Sequence, residues 1–256
     1  MGDRVYRGVV HTAMGIFRAL DVRFDVVGRE HVPAAGGAVV VLNHTGYLDF
    51  ALAGAPFWWE HRRLVRFMAK QEVFRSKLSG PLMRAMHHIP VDRAAGGAAF
   101  REAVTALKAG ELVGVFPEAT ISRSFCLKEF KTGAVAMARA ASVPMLPMTL
   151  WGSQRIWTKD HERTVRGARH VPVVMTLGEP MDPRAGADPS EELVRVMDKL
   201  LDESRARYPD DGRGQWWQPA HLGGTAPTPE RAAELDQAER VARAAKRAEK
   251  DAGRTS

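Results

Sequence analysis

The chain of 256 residues has one cysteine, Cys126, so no disulfide can form within it. That suits a reducing compartment. No run of 18 or more apolar residues occurs, which argues against a conventional transmembrane helix. The first residues lack a long apolar stretch ahead of a small-residue cleavage site, which argues against secretion. There is no G-x-S-x-G turn to present a serine nucleophile. Zinc-finger spacing, RNP aromatics and a basic zipper are missing too, so metal-held folding and the common nucleic-acid modules are poor explanations. No internal repeat is visible.

What is there describes a globular protein. The chain is 45% apolar and 26% charged, enough to build a core over one domain of about 200 residues with appendages, or over two small ones. The net charge is +7 and unevenly placed. Residues 60–93 hold eight bases against three acids, a net of +5. Such an excess suits anionic lipid headgroups or phosphorylated substrates, with nucleic acid the weaker fit.

Residues 4–20 read as a helix. Val9, Ala13, Ile16 and Leu20 recur at helical spacing, with Val10, Met14 and Phe17 widening the stripe. The stripe either docks on its own domain or lies in a membrane surface as an amphipathic helix over 1–20. Beyond it, strand-like and helix-like segments alternate. "RFDVVG", "AVVVLN", "LVRFMA", "HHIPVD", "LVGVFP", "MLPMTLWG" and "VPVVMTLG" read as strands. Helices are expected over 47–58, 97–109, 131–141 and 190–207, the last capped by Ser190. The pattern predicts an α/β fold: a mixed, largely parallel sheet covered by helices, with an N-terminal amphipathic helix. The domain would span 21–209. Residues 210–256 begin as a Gly/Pro-rich loop holding Trp216 and Trp217, which either pack or touch lipid. They end in a charged stretch that is a solvated helix or a disordered tail.

Two strands end in chemically loaded turns, "VVVLN-HTGYLD" and "LVGVF-PEATISRS". Ligands of open α/β sheets collect beyond the carboxyl ends of strands, so the two turns predict one site. In the first, His44 has the ring whose ordinary pKa suits a general base. Asp49 can fix its tautomer and stabilise the imidazolium. On one straight helix the pair would diverge by about 140°, so His44 must lie in the loop and Asp49 in the first helical turn, with Gly46 between them. In the second turn, Pro117 ends the strand, Glu118 and Thr120 can bond a polyol, and Arg123, Lys128 and Lys131 offer charge for a phosphate. Arg93 is another strand-end cation. Cys126 has no supporting motif as a nucleophile. His87 and His88 read as packing residues. No metal-ligand spacing is present, so no metal is expected. A base with no enzyme nucleophile can deprotonate a substrate hydroxyl and let it attack an activated acyl donor.

At these residues the chain resembles the glycerolipid acyltransferases, the lysophosphatidic acid acyltransferases and their relatives. The family's N-H-x-x-x-x-D motif is matched by Asn43, His44 and Asp49. F-P-E-G-T is matched by Phe116, Pro117, Glu118 and Thr120, "IPVDR" by its Arg93, and the proline-bearing apolar stretch by Pro144 or Pro147. "MAKQEVF", with Lys70 and Glu72, resembles the K-x-E segment. Order and spacing agree over roughly residues 20–180. The resemblance implies acyl transfer from acyl-CoA or acyl-carrier protein, as co-substrate and with no cofactor, to 1-acyl-sn-glycerol 3-phosphate in phospholipid biosynthesis. His44 would be the base and Asp49 its partner. Glu118 and Thr120 would hold the glycerol, and Arg93, Lys70 and Arg123 its phosphate. The partners implied are a lysophospholipid, the acyl donor and a membrane surface, approached peripherally from the cytoplasmic side. The alternatives are another acceptor, such as glycerol 3-phosphate, another lysophospholipid or a glycolipid, or a non-catalytic lipid-binding relative. Two departures stand out: Ala119 replaces the motif's glycine, and Ile121 and Ser122 intervene before Arg123.

Overall fold

The computed structural model describes residues 2–92 and 96–252. They fall into two compact units. The first runs to Ile121 and resumes from Leu127 to Pro209. The second joins Ser122–Cys126 to the chain from Asp210 onward. Ser122–Cys126 thus group apart from the rest of residues 21–209.

The first unit is built on seven strands in the order β1-β7-β6-β2-β5-β3-β4. These are β1 (Arg23–Val27), β2 (Ala38–Leu42), β3 (Val65–Lys70), β4 (Ile89–Val91), β5 (Leu112–Val115), β6 (Met145–Trp151) and β7 (Pro172–Leu177). β6, β2, β5, β3 and β4 are mutually parallel. β7 pairs antiparallel with β6, and β1 runs parallel to β7. The sheet is therefore mixed and largely parallel, as the alternating pattern implies.

β2 sits at the centre and every one of its residues is buried. Its side chains alternate between two cores, as strand geometry requires. Val40 and Leu42 join Phe67, Leu146, Met148 and Leu150 on one face. That face is covered by α1 (Gly2–Ala19) through Phe17 and by α2 (Asp49–His61) through Leu52 and Phe57. Val39 and Val41 join Val113, Val115 and Met145 on the other. There α5 (Gly96–Lys108), α6 (Gly133–Ala141) and α7 (Pro189–Ala206) cover them. Two short helices, α3 (Gln71–Arg75) and α4 (Ser79–Ala85), lie between β3 and β4.

Four local outcomes refine the sequence reading. First, most of the stripe of α1 is turned inward, with Ile16 left exposed. Tyr6 donates to the Val65 carbonyl at 2.7 Å, Phe17 is in the core, and Val9 and Val10 pack on Phe74 and Met83. Second, several bases of residues 60–93 serve the fold. Arg63 donates to the Pro33, Gly36 and Gly110 carbonyls, and Arg66 binds Glu111, Asp3 and the Met86 carbonyl. Third, α7 is capped by Asp188, not Ser190. Its carboxylate accepts from the Ser190 and Glu191 N–H groups, and Pro189 takes the first helical position, where no N–H is needed. Fourth, no helix among the described residues is long and apolar enough to cross a membrane.

In the second unit the charged stretch is a helix, α8 (Pro229–Ala252). Trp217 is buried and Trp216 lies edge-on to Phe125. The Trp pair thus packs, the first of its two sequence readings.

Candidate active site

The carboxyl edge of the parallel strands carries the chemistry. β2 ends at Leu42, and Asn43 continues it by side chain: Nδ2 donates to the Leu150 carbonyl at 3.0 Å and Oδ1 accepts from the Leu150 N–H at 2.8 Å. This two-bond clamp onto β6 fixes the exit of the chain. His44 follows in the loop, and α2 begins at Asp49, the loop-then-helix path that the five-residue spacing demands.

His44 Nδ1 lies 2.9 Å from Asp49 Oδ2. The same oxygen accepts from the Thr45 N–H at 2.7 Å and the Gly46 N–H at 2.8 Å. Asp49 is fully buried at the first turn of α2, where the helix dipole favours its charge. Three contacts on one oxygen hold the carboxylate aimed at the ring. Nδ1–H is fixed as donor to Asp49, and Nε2 is left as the basic nitrogen. Phe116 stacks on the imidazole at 4.2 Å between centroids. A β-carbon on Gly46 would meet the Trp157 and Ser153 carbonyls at 3.0 and 3.1 Å, so a side chain there would crowd the backbone that braces the turn.

Glu118 joins the two turns. Its Oε1 accepts from the His44 backbone N–H at 3.0 Å. Burial pushes its carboxyl up to about 8, against the pull of that N–H and of the Lys128 charge. At neutral pH it is protonated, so it has a hydroxyl to donate as well as an oxygen to accept. Phe116, Pro117 and Ala119 shape the turn. The Ala119 N–H donates to the Phe116 carbonyl at 3.0 Å, and Ala119 has φ 59°, the left-handed conformation that glycine adopts freely. The alanine at the motif's glycine position therefore sits in a conformation that favours glycine.

Thr120 accepts from Lys159 Nζ at 3.0 Å. Lys70 stands half-buried at the end of β3, on the same sheet edge. Arg93 lies outside the described residues. Pro147 sits in the middle of β6, its carbonyl accepting from Gly178, so it shapes the strand upstream of the edge. Arg123 belongs to the second unit, where its guanidinium is buried against Asp236 and Glu239 of α8. Cys126 belongs to that unit too, with Sγ 3.8 Å from His221 Nδ1. Among the described residues no cluster of three or more His, Cys, Asp or Glu could hold a metal.

Sequence reasoning missed the segment after β6. Thr45 Oγ1 meets Ser153 Oγ at 3.0 Å, Thr158 Oγ1 donates to the Thr45 carbonyl at 2.6 Å, and the Tyr47 N–H donates to the Trp157 carbonyl at 2.9 Å. Residues 153–159 thus buttress the base-bearing turn. The only sequence signal was their position, directly past a parallel strand.

Fold and site together define an α/β protein whose central sheet ends in a histidine oriented by a buried carboxylate. Comparison with known proteins gives the family. The model of the Acyltransferase family matches residues 23–151. A 1-acyl-sn-glycerol-3-phosphate acyltransferase of Bacillus subtilis is 28% identical over 196 residues, 75% of this chain and 90% of that protein. The human 1-acyl-sn-glycerol-3-phosphate acyltransferase alpha is 32% identical over 201 residues, 75% of this chain and 67% of that one. The crystal structure of the 1-acyl-sn-glycerophosphate acyltransferase PlsC from Thermotoga maritima matches with a TM-score of 0.64 and 24% identity. It covers 80% of this chain and 81% of that one, and that likeness speaks to the fold. The chain belongs to the Acyltransferase family and is an O-acyltransferase.

Proposed function

We propose that this enzyme moves an acyl group from a thioester, on CoA or acyl-carrier protein, to the free hydroxyl of 1-acyl-sn-glycerol 3-phosphate. The product is phosphatidic acid, made at a membrane surface to which the protein attaches peripherally. The observation that carries the reading is the His44 Nδ1–Asp49 Oδ2 contact of 2.9 Å with the carboxylate wholly buried.

His44 Nε2 takes the proton of the acceptor hydroxyl, and that oxygen attacks the thioester carbonyl. Asp49 stabilises the imidazolium that forms. The tetrahedral intermediate expels the thiolate as the C–S bond breaks, and the imidazolium returns its proton to the sulfur. Ester and free thiol result, with His44 neutral again. Glu118, protonated and buried beside the base, can hydrogen-bond a glycerol oxygen, and Thr120 borders the same turn. Lys70 lies on the edge where the acceptor's phosphate would sit.

The test is thiol release by the purified protein with acyl-CoA or acyl-carrier protein and 1-acyl-sn-glycerol 3-phosphate, against glycerol 3-phosphate, other lysophospholipids and a glycolipid. Fastest turnover of the first acceptor supports the proposal. Preference for another acceptor would keep the chemistry and change the product. No thiol release with any acceptor would leave a lipid-binding relative.

A further inference from the structure

We infer that Lys159 holds the acceptor's phosphate, so that a cation from the turn after β6 serves the motif on the turn after β5. This rests on the acceptor being a phosphorylated glycerol, as proposed above. Three observations converge on it.

Lys159 Nζ donates to Thr120 Oγ1 at 3.0 Å, which places an ammonium at the mouth of the second catalytic turn. Its backbone is anchored to the first catalytic turn, because the neighbouring Thr158 and Trp157 bond the Thr45 carbonyl and the Tyr47 N–H. The lysine therefore spans both turns from a rigid base, and it is half-buried. Partial removal from water strengthens its attraction for an anion. An ammonium is a point charge with three donors, which suits a phosphate monoester that must also leave as part of a product.

Arg123, the cation that follows Thr120 and two further residues in the sequence, is bound to Asp236 and Glu239.

The experiment compares wild type, Lys159→Met and Lys159→Arg. Steady-state rates are measured with 1-acyl-sn-glycerol 3-phosphate and with the matching monoacylglycerol, which lacks the phosphate. Glycerol 3-phosphate binding is followed in parallel by 31P NMR, which needs no turnover. Lys159→Met should raise KM for the phosphorylated acceptor about tenfold or more, as loss of a charge-assisted hydrogen bond does, with little change in kcat. It should leave KM for monoacylglycerol unchanged and weaken glycerol 3-phosphate binding equally. Lys159→Arg should restore most of both. An unchanged KM and unchanged glycerol 3-phosphate affinity in Lys159→Met would overturn the inference. Equal losses with both acceptors would assign Lys159 a structural role through Thr120, and a rise confined to KM for acyl-CoA would assign it to the donor. If wild type acylates no phosphorylated acceptor, the proposed function fails first, while the NMR comparison still decides the phosphate site.

Discussion

Arg123 and Asp236 form a buried ion pair across 113 residues of sequence, with side chains 7% and 10% exposed. Glu239 adds a second carboxylate at 3.0 Å. The pair ties the loop directly after the F-P-E-A-T motif to α8. Removing Arg123 takes the cation from both carboxylates, and breaking a buried pair from one side costs about 3–5 kcal/mol. Arg123→Met should therefore lower the unfolding midpoint by several degrees, whereas Arg123→Met with Asp236→Leu should recover most of the loss. Differential scanning fluorimetry measures both. A single variant as stable as wild type would show that the pair contributes nothing.

His44→Ala should reduce kcat by about two to four orders of magnitude, the usual worth of a positioned general base. Asp49→Asn should approach the same loss, since an amide has no charge to stabilise the imidazolium and its neutral oxygen is a weaker acceptor for the donors that converge on Oδ2. Cys126→Ser should retain activity. Inactivity of the cysteine variant alongside an active His44→Ala would reassign the nucleophile.

Much of this was legible in the sequence, for a physical reason. A strand buried on both faces has to read as a continuous apolar run, as Ala38–Leu42 does, and its polar exit is then conspicuous. His44 and Asp49 stand five residues apart, close enough for local geometry to constrain them, and Glu118 is found because it follows a second such strand. The roles of Arg123 and Lys159 were not legible. Their partners lie 113 and 39 residues away, and an isolated arginine or lysine carries no periodic signal. The same blindness explains α1: its apolar stripe fits either its own core or a lipid surface, and only the positions of Val65, Phe74 and Met83 show that the core claims it.

Glu118 sets a pH dependence. Its folded pKa, about 8, stands above the ordinary 4.5. Between those values the unfolded chain gives up its proton while the fold retains it, so stability falls as pH rises through that window. His88 acts at the other end. Burial lowers its pKa from 6.5 to about 4, so it costs stability as pH falls from 6.5 towards 4. Glu118→Gln keeps an acceptor for the His44 N–H but cannot ionise. It should be more stable than wild type at pH 9, by an amount on the order of a few kcal/mol, and little different at pH 5. Denaturant midpoints at the two pH values test this, and equal differences at both would exclude Glu118 as the titrating group.

Ala119 at φ 59° carries the strain of a β-carbon in the left-handed region, about 1–2 kcal/mol. Glycine removes that strain but loses roughly 0.5–1 kcal/mol more backbone entropy on folding. The strain is the larger effect, so Ala119→Gly should stabilise the protein by up to about 1 kcal/mol, read from the denaturant midpoint. Destabilisation would mean that the alanine methyl makes contacts worth more than the strain.

The proposed membrane attachment has to use what α1 leaves outside. Deleting residues 1–20 would remove Tyr6 and Phe17 from the fold, so loss of binding by such a truncation would be ambiguous. Val5 and Ile16 remain 44% and 52% exposed on α1, and Leu78, beside Lys77 at the start of α4, is 91% exposed. α1 packs on α4 through Val9, Val10 and Met83, so these aliphatics and bases belong to neighbouring elements. A buried aliphatic side chain is worth about 1.5–3 kcal/mol, and anionic headgroups add attraction for Lys77 and Arg75. Ile16→Asp with Leu78→Asp should therefore weaken binding to phosphatidylglycerol vesicles at least about tenfold while leaving the unfolding midpoint unchanged. Sedimentation with vesicles of graded anionic content measures it, and a double variant that co-sediments like wild type would place the membrane contact on another face.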